Sequence, residues 1–219
     1  MKIYTEIEQG TPEWLELRKG IITSTVVKSL ITPTFKLAEN DKTRKAIWKL
    51  ASERITGHLE DSFYSSDMER GHFEEPLARD LYGGAVEVGF ITNKIGGVTV
   101  GYSPDGLVGE NGLIEIKSAK QSIQVERIVS GVVPVEHLPQ IHYGMLVSER
   151  EWCDFISYSN GMPMQVIRVE KDLKIQDVLI EAVQIAETKI QNIIAEFHEK
   201  SQGFKLAPRV AVVSDEISL

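Results

Sequence analysis

The sequence predicts a mixed α/β fold in which a central mixed β-sheet is flanked by helices. Helix-like segments fill the first eighty or so positions, then β-branched strands broken by Asn, Gly and Pro take over. The last third places helices around two further strands. The length of 219 residues suits one domain, read here as residues 1–200 with a tail over 201–219. A chain of this size buries about 70–75% of its unfolded surface, so it can fold without disulfides or structural metal. A hydrophobic content of 42% and a charged content of 26% exclude a disordered or collagen-like chain.

Taken in order, Thr11-Pro12-Glu13 opens the first helix as N-cap, first helical position and acidic first turn, and Gly20 stops it. A second short helix is predicted over 24–31, ending before Pro33. Residues 43–56 carry Ala46, Ile47, Leu50, Ala51 and Ile55 at helical spacing, closed by Gly57. A further helix runs over 67–82 and ends at Gly83-Gly84. The stretch 86–108, punctuated by Asn93, Gly96-Gly97 and Pro104-Asp105-Gly106, reads as a meander, and 113–117 as another strand. Helices over 122–130 and 137–148, strands over 152–157 and 164–169, and an amphipathic helix over 172–198 complete the series. Trp14 reads as a core residue and the C-terminal stripe as core or subunit interface.

Cys153 is the single cysteine, which excludes an internal disulfide, a Cys-rich zinc site and an iron–sulfur cluster and suits a reducing cytosol. In a strand it reads as an inert buried thiol. The N-terminus lacks the apolar core of a signal peptide, and no stretch approaches the ~18 apolar residues of a membrane span. His58, His72, His137 and His198 show no metal-ligand spacing, and His142 reads as structural.

Chemistry concentrates around Ser103-Pro104-Asp105-Gly106-Leu107 and Leu113-Ile114-Glu115-Ile116-Lys117. In a strand Glu115 and Lys117 share one face, while Ile114 and Ile116 share the other and suit burial. With Asp105 from the preceding hairpin, Glu115 makes a pair of hard oxygen ligands suited to Mg²⁺ or Mn²⁺. Lys117 can orient a water or offset charge building on a phosphoryl oxygen. A solvated turn beside an ordinary surface Glu/Lys pair is the plain alternative.

Other segments add to this pair. Gln9-Gly10-Thr11-Pro12-Glu13-Trp14 is followed by Leu17-Arg18-Lys19-Gly20-Ile21-Ile22-Thr23-Ser24, then Gly71-His72-Phe73-Glu74-Glu75, the two segments above, and Gln140-Ile141-His142-Tyr143. In this order, across residues 8–170, the chain resembles the phage lambda exonuclease family of the PD-(D/E)xK nuclease superfamily.

The resemblance implies a restriction-endonuclease-like core and a Mg²⁺-dependent 5′→3′ exodeoxyribonuclease, with one or two ions per site and Mn²⁺ as a substitute. It would act on double-stranded DNA ends and leave 3′ single strands for recombination. It implies Asp105, Glu115 and the backbone carbonyl of Ile116 as metal ligands, with Glu75 as the helix carboxylate and Glu74 as the competitor for that role. Lys117 would position water, Gln140 would bond within the site, and Tyr143 could line the same helix face. Arg18 would bind the 5′ phosphate with Thr25, or else Ser24. The pattern departs where a second basic residue is expected, since Thr34 stands there, and Lys36 is the candidate to replace it. A ring trimer, a single-strand annealing partner and a cytoplasmic setting in a bacterial host, as a phage or prophage protein, follow from the same resemblance. Another PD-(D/E)xK enzyme, endonucleolytic or 3′-acting, and a non-catalytic DNA-binding partner stay open at this point.

The net charge of −8, from 24 Lys and Arg against 32 Asp and Glu, ordinarily speaks against nucleic-acid binding. Acidic residues that gather divalent cations answer that objection, together with local basic clusters at Arg18-Lys19 and across Lys36, Lys42, Arg44, Lys45 and Lys49.

Overall fold

The computed structural model describes residues 1–59 and 66–209. The chain opens with a short strand β1 (Lys2–Tyr4) and helix α1 (Pro12–Arg18), whose N-cap Thr11 accepts from the Trp14 amide. Strand β2 (Ile22–Thr23) leads directly into α2 (Ser24–Val27). Then come α3 (Asp41–Thr56), capped by Asn40 at one end and by left-handed Gly57 at the other, and α4 (Ser66–Tyr82). The meander resolves into β3 (Ala85–Val86), β4 (Phe90–Ile95), β5 (Val98–Tyr102), β6 (Gly106–Val108) and β7 (Gly112–Ser118). Helix α5 (Gln121–Ser130), a 3₁₀ turn (Val135–His137), α6 (Leu138–Ser148), β8 (Trp152–Tyr158), β9 (Gln165–Glu170) and α7 (Leu173–Lys200) follow.

The strands form two mixed sheets, in the orders β1-β4-β5-β2 and β3-β6-β7-β8-β9. The pairs β2–β5 and β7–β8 are parallel and the rest antiparallel. The chain crosses from the first sheet to the second between Tyr102 and Gly106, so residues 103–105 lie at the seam. Helix α6 packs on strands of both sheets and on α7, which buries most of its circumference. One large core joins these surfaces through Phe155, Tyr102, Leu113, Ile141, Tyr143 and Leu179, and a smaller one places Ile114, Ile116 and Ile156 against Ala78 of α4.

The predicted helix over 24–31 is shorter than expected. After Val27 the chain tightens into three-residue turns, Ser29 N–H to Val26 O at 2.8 Å and Leu30 N–H to Val27 O at 2.9 Å, and Ile31 bridges to Leu37. Strands β1 and β2 are too short to leave a periodic trace in the sequence. Of the predicted tail, 204–209 has no regular structure and 210–219 lies outside the described residues.

Candidate active site

The antiparallel register of β6 on β7 pairs Gly106 with Ile114, which brings Asp105 alongside Glu115. The Ile116 amide donates to Asp105 Oδ2 at 2.6 Å. A strand residue's N–H and C=O point to the same side, so the Ile116 carbonyl also faces Asp105. Ile114 and Ile116 bury against α4 as expected. The opposite face is not solvated, however: Glu115 is wholly buried, Lys117 Nζ donates to its Oε1, and the Tyr102 hydroxyl approaches its Oε2 at 3.4 Å. The surface-pair alternative therefore fails, because a buried carboxylate with a lysine on it is a built feature.

The electrostatics follow from that burial. Asp105 is held well above the ordinary carboxylate range by desolvation and by the neighbouring charges of Glu115 and Glu75. Desolvation opposes the Lys117 charge, but Glu115 and Asp105 outweigh it and raise its pKa. Glu75 is pushed up, chiefly by burial and despite Arg79, and it feels Lys117 and Glu115. Three carboxylates, one wholly buried and two half-buried, thus act on one another and on one lysine. Among the described residues no three His, Cys, Asp or Glu side chains stand as a ready coordination shell. The donor set of Asp105, Glu115, Glu75 and the Ile116 carbonyl is all oxygen, though, which fits a hard divalent cation.

The two helix glutamates separate cleanly. Glu75 Oε1 accepts from Arg79 at 2.6 Å, and Arg79 also donates to the Asp105 carbonyl at 2.6 Å and to Glu87. Arg79 thereby ties α4 to the Asp105 loop. Glu74 turns the other way, accepting from Ser118 Oγ at 2.5 Å and from the Asn160 amide at 3.2 Å. It anchors α4 to the ends of β7 and β8.

Arg18 lies at the same seam. Its Nη1 donates to Ser103 Oγ at 2.9 Å, and its guanidinium lies 3.9 Å from the centre of the Trp14 ring. Trp14 is half-buried and not a core residue: its indole N–H lies 3.1 Å from the Gly89 carbonyl and 2.9 Å from Ser103 Oγ. Burial lowers the Arg18 pKa to about 10, with Glu53 acting against that shift. Gln9 donates to the Val88 and Pro104 carbonyls at 3.1 and 2.9 Å, so the opening Gln-Gly segment holds the Asp105 loop in place.

Other predicted positions fare differently. Ser24 is buried and Thr25 exposed on the single turn of α2. Lys36 is exposed, and its side chain makes no hydrogen bond or ion pair among the described residues. Gln140 sits half-buried on the first turn of α6. Tyr143 does not line the site, since it is fully buried and its hydroxyl donates to the Ile22 carbonyl at 2.7 Å. Tyr102, Ser103, Arg79 and Lys28 complete the neighbourhood. Only Arg79, four residues after Glu75, leaves a sequence signal that could have found it. Lys28, exposed at the end of α2, lies within electrostatic range of Lys117, Glu115, Asp105 and Glu136.

A half-buried Asp, a Glu-x-Lys with a buried Glu, and a helix glutamate at the seam of two mixed sheets are the pattern of a PD-(D/E)xK nuclease. Residues 13–151 match the YqaJ-like viral recombinase domain, and the chain belongs to that family. An alkaline exonuclease (LHK-Exo) from Laribacter hongkongensis shares 31% identity and superposes with a TM-score of 0.77, covering 87% of this chain and 98% of that one. A structure of LHK-Exo in complex with dAMP matches with 30% identity, the same TM-score of 0.77 and the same coverage of 87% and 98%. A phage-related exonuclease from Haemophilus somnus 129PT shares the fold at 13% identity and a TM-score of 0.60, over 83% of this chain and 98% of that one. No curated protein sequence matches the chain. No helix among the described residues is long and apolar enough to cross a membrane.

Proposed function

We propose that this nuclease is an exodeoxyribonuclease that uses Mg²⁺, with Mn²⁺ as a substitute. It digests one strand of linear double-stranded DNA in the 5′→3′ direction and leaves 3′ overhangs for phage-type homologous recombination. One observation carries the reading: the Arg18–Ser103 pair sits two residues from Asp105, so an anion pocket adjoins the carboxylate cluster. A guanidinium bonded to a hydroxyl and backed by an indole suits a terminal phosphate. A strand held there by its 5′ phosphate offers its next phosphodiester to Asp105 and Glu115. LHK-Exo, a relative at 30% identity, is known in complex with dAMP, a nucleoside monophosphate, which supports the reading.

Asp105, Glu115, Glu75 and the Ile116 carbonyl would hold one or two ions, which offset phosphoryl charge and lower the pKa of an attacking water. The protein's own contributions are more local. Lys117 stays protonated beside Glu115 and orients the water, Gln140 hydrogen-bonds within the site, and Thr25 and Ser24 add hydroxyls near the terminal phosphate. Residues 1–200 act as one nuclease domain with 201–219 as a tail. By resemblance, the chain works as a ring-shaped homotrimer with a single-strand annealing protein, in the cytoplasm of a bacterial host.

The test uses linear duplex DNA labelled at either end. Wild type with Mg²⁺ should release 5′ label as mononucleotide, and Asp105→Ala and Lys117→Ala should not. Loss of 3′ label first, or nicking of closed circles, would overturn the polarity. Digestion by the variants would overturn the site.

A further inference from the structure

We infer that Lys28 is a DNA-contacting residue of this nuclease, binding a non-bridging oxygen of the phosphodiester that enters the carboxylate cluster. The inference rests on the nuclease reading of Asp105 and Glu115 and adds the basic residue that the sequence pattern leaves unfilled at Thr34.

The backbone places it. Parallel pairing of β2 with β5 sets Thr23 beside Gly101, two residues before Ser103. Helix α2 therefore starts next to the seam that carries Ser103 and Asp105. Residues three apart share a helix face, and here Ser24 and Val27 form the buried one while Thr25 and Lys28 form the exposed one. Lys28 continues the helical conformation at φ −56° and ψ −21°, so its side chain follows Thr25 on that face. The candidate phosphate hydroxyl and Lys28 thus stand in one row, beginning at the Arg18 pocket.

Its charge lies within electrostatic range of the catalytic groups. Desolvation and the like charge of Lys117 bring its pKa below the ordinary lysine value, while the carboxylates of Glu115, Asp105 and Glu136 pull the other way. Lys28 makes no ion pair among the described residues, whereas Lys117 is engaged by Glu115 and Arg18 by Ser103. The usual explanation for a lysine at a helix C-terminus is the helix dipole, but α2 has a single turn and little dipole to offer. A cation left unpaired, within electrostatic range of carboxylates that bind a phosphate substrate only through other cations, suits the DNA backbone. Lys36, the alternative, is exposed beyond α2 on the 32–36 turn, closed by Thr32 N–H to Lys36 O at 2.7 Å.

The experiment measures binding of the full chain to a 5′-phosphorylated linear duplex in EDTA, by fluorescence anisotropy over a KCl series. Lys28→Ala should weaken binding several-fold and reduce the slope of log K against log salt by about 0.9, the loss of one phosphate contact. Lys28→Arg should keep most of the slope. Lys171→Ala removes a lysine paired with Glu151, at the far end of the β8–β9 pair from Lys117, and should leave slope and affinity as in wild type. A Lys28→Ala protein with the wild-type slope overturns the inference. Digestion by Asp105→Asn is read separately: an active Asp105→Asn overturns the nuclease site, while an inactive one beside an unchanged Lys28→Ala slope overturns Lys28 alone.

Discussion

Glu74 and Glu75 are neighbours on α4, and their side chains leave the helix about 100° apart. That rotation gives them different chemistry. Glu74 is buried and bonded to Ser118 and Asn160, so it holds the helix in place. Glu75 faces the site, where burial already disfavours its charge. Glu74→Gln should therefore lower thermal stability, since an amide nitrogen replaces a buried acceptor and leaves a partner unpaired at about 1–3 kcal/mol. For a chain of this length that is a fall in Tm of about 2–4 °C per kcal/mol. Glu75→Gln should leave Tm unchanged or raised. It should lose at least about tenfold in activity and need more Mg²⁺ for half-maximal rate, a loss comparable to that for groups supporting a metal. Calorimetry and metal titration of the two variants decide between them. A Glu74→Gln protein that keeps its Tm and loses metal response would reverse the two roles. At this scale the sequence offered both glutamates and could not choose, because the choice depends on where Ser118 and Asn160 arrive.

At the scale of elements, the long periodic segments were legible: α3, α4, α6, α7, β7, β8 and β9 lie within a few residues of their predicted bounds. Periodicity works where one face is buried over many residues. It says nothing about β1 or β2, nor about the division of the strands into two sheets, which arises from pairing between distant segments. The reading of Trp14 as core failed because an aromatic at helical spacing looks the same whether it fills a core or backs an arginine. Tyr143, which the resemblance set on the site's helix face, instead pins a strand. The approach of α6 to β5 shows how an element shapes the site. Gly144 has no side chain, and a Cβ there would lie 2.6 Å from the Tyr102 ring. Tyr102 in turn holds its hydroxyl toward Glu115. Gly144→Ala should force that ring to move, destabilising the protein by about 1–3 kcal/mol as an overpacked core does. Activity at saturating Mg²⁺ should fall with it. If Tm drops while kcat is unchanged, the Tyr102 contact has no part in setting the position of Glu115.

Across the whole molecule, the net charge of −8 matters through where the acids sit. Asp105, Glu115 and Glu75 feel one another's charge around one site, and the folded state holds the Asp105 carboxyl well above its ordinary pKa. The sign of the consequence is fixed. Below about pH 4 both folded and unfolded chains carry Asp105 protonated, and nothing is lost. As pH rises the unfolded chain ionises first, so folded stability declines until pH passes the raised folded value. A divalent cation held by the ionised cluster binds only the folded state and displaces the proton, so its stabilisation grows with pH over the same window. The Tm increase caused by Mg²⁺ should therefore be larger at about pH 8.5 than at about pH 6. It should vanish at both in Asp105→Asn, whose metal-free form should melt higher than wild type near pH 8.5 because one repelled charge is gone. Scanning calorimetry with Mg²⁺ and with EDTA at the two pH values provides the four melting temperatures needed. Equal metal shifts at both pH values would mean that Asp105 is already ionised in the metal-free fold and that its neighbours do not raise it. A metal shift that survives in Asp105→Asn would place the stabilising ion elsewhere on the chain.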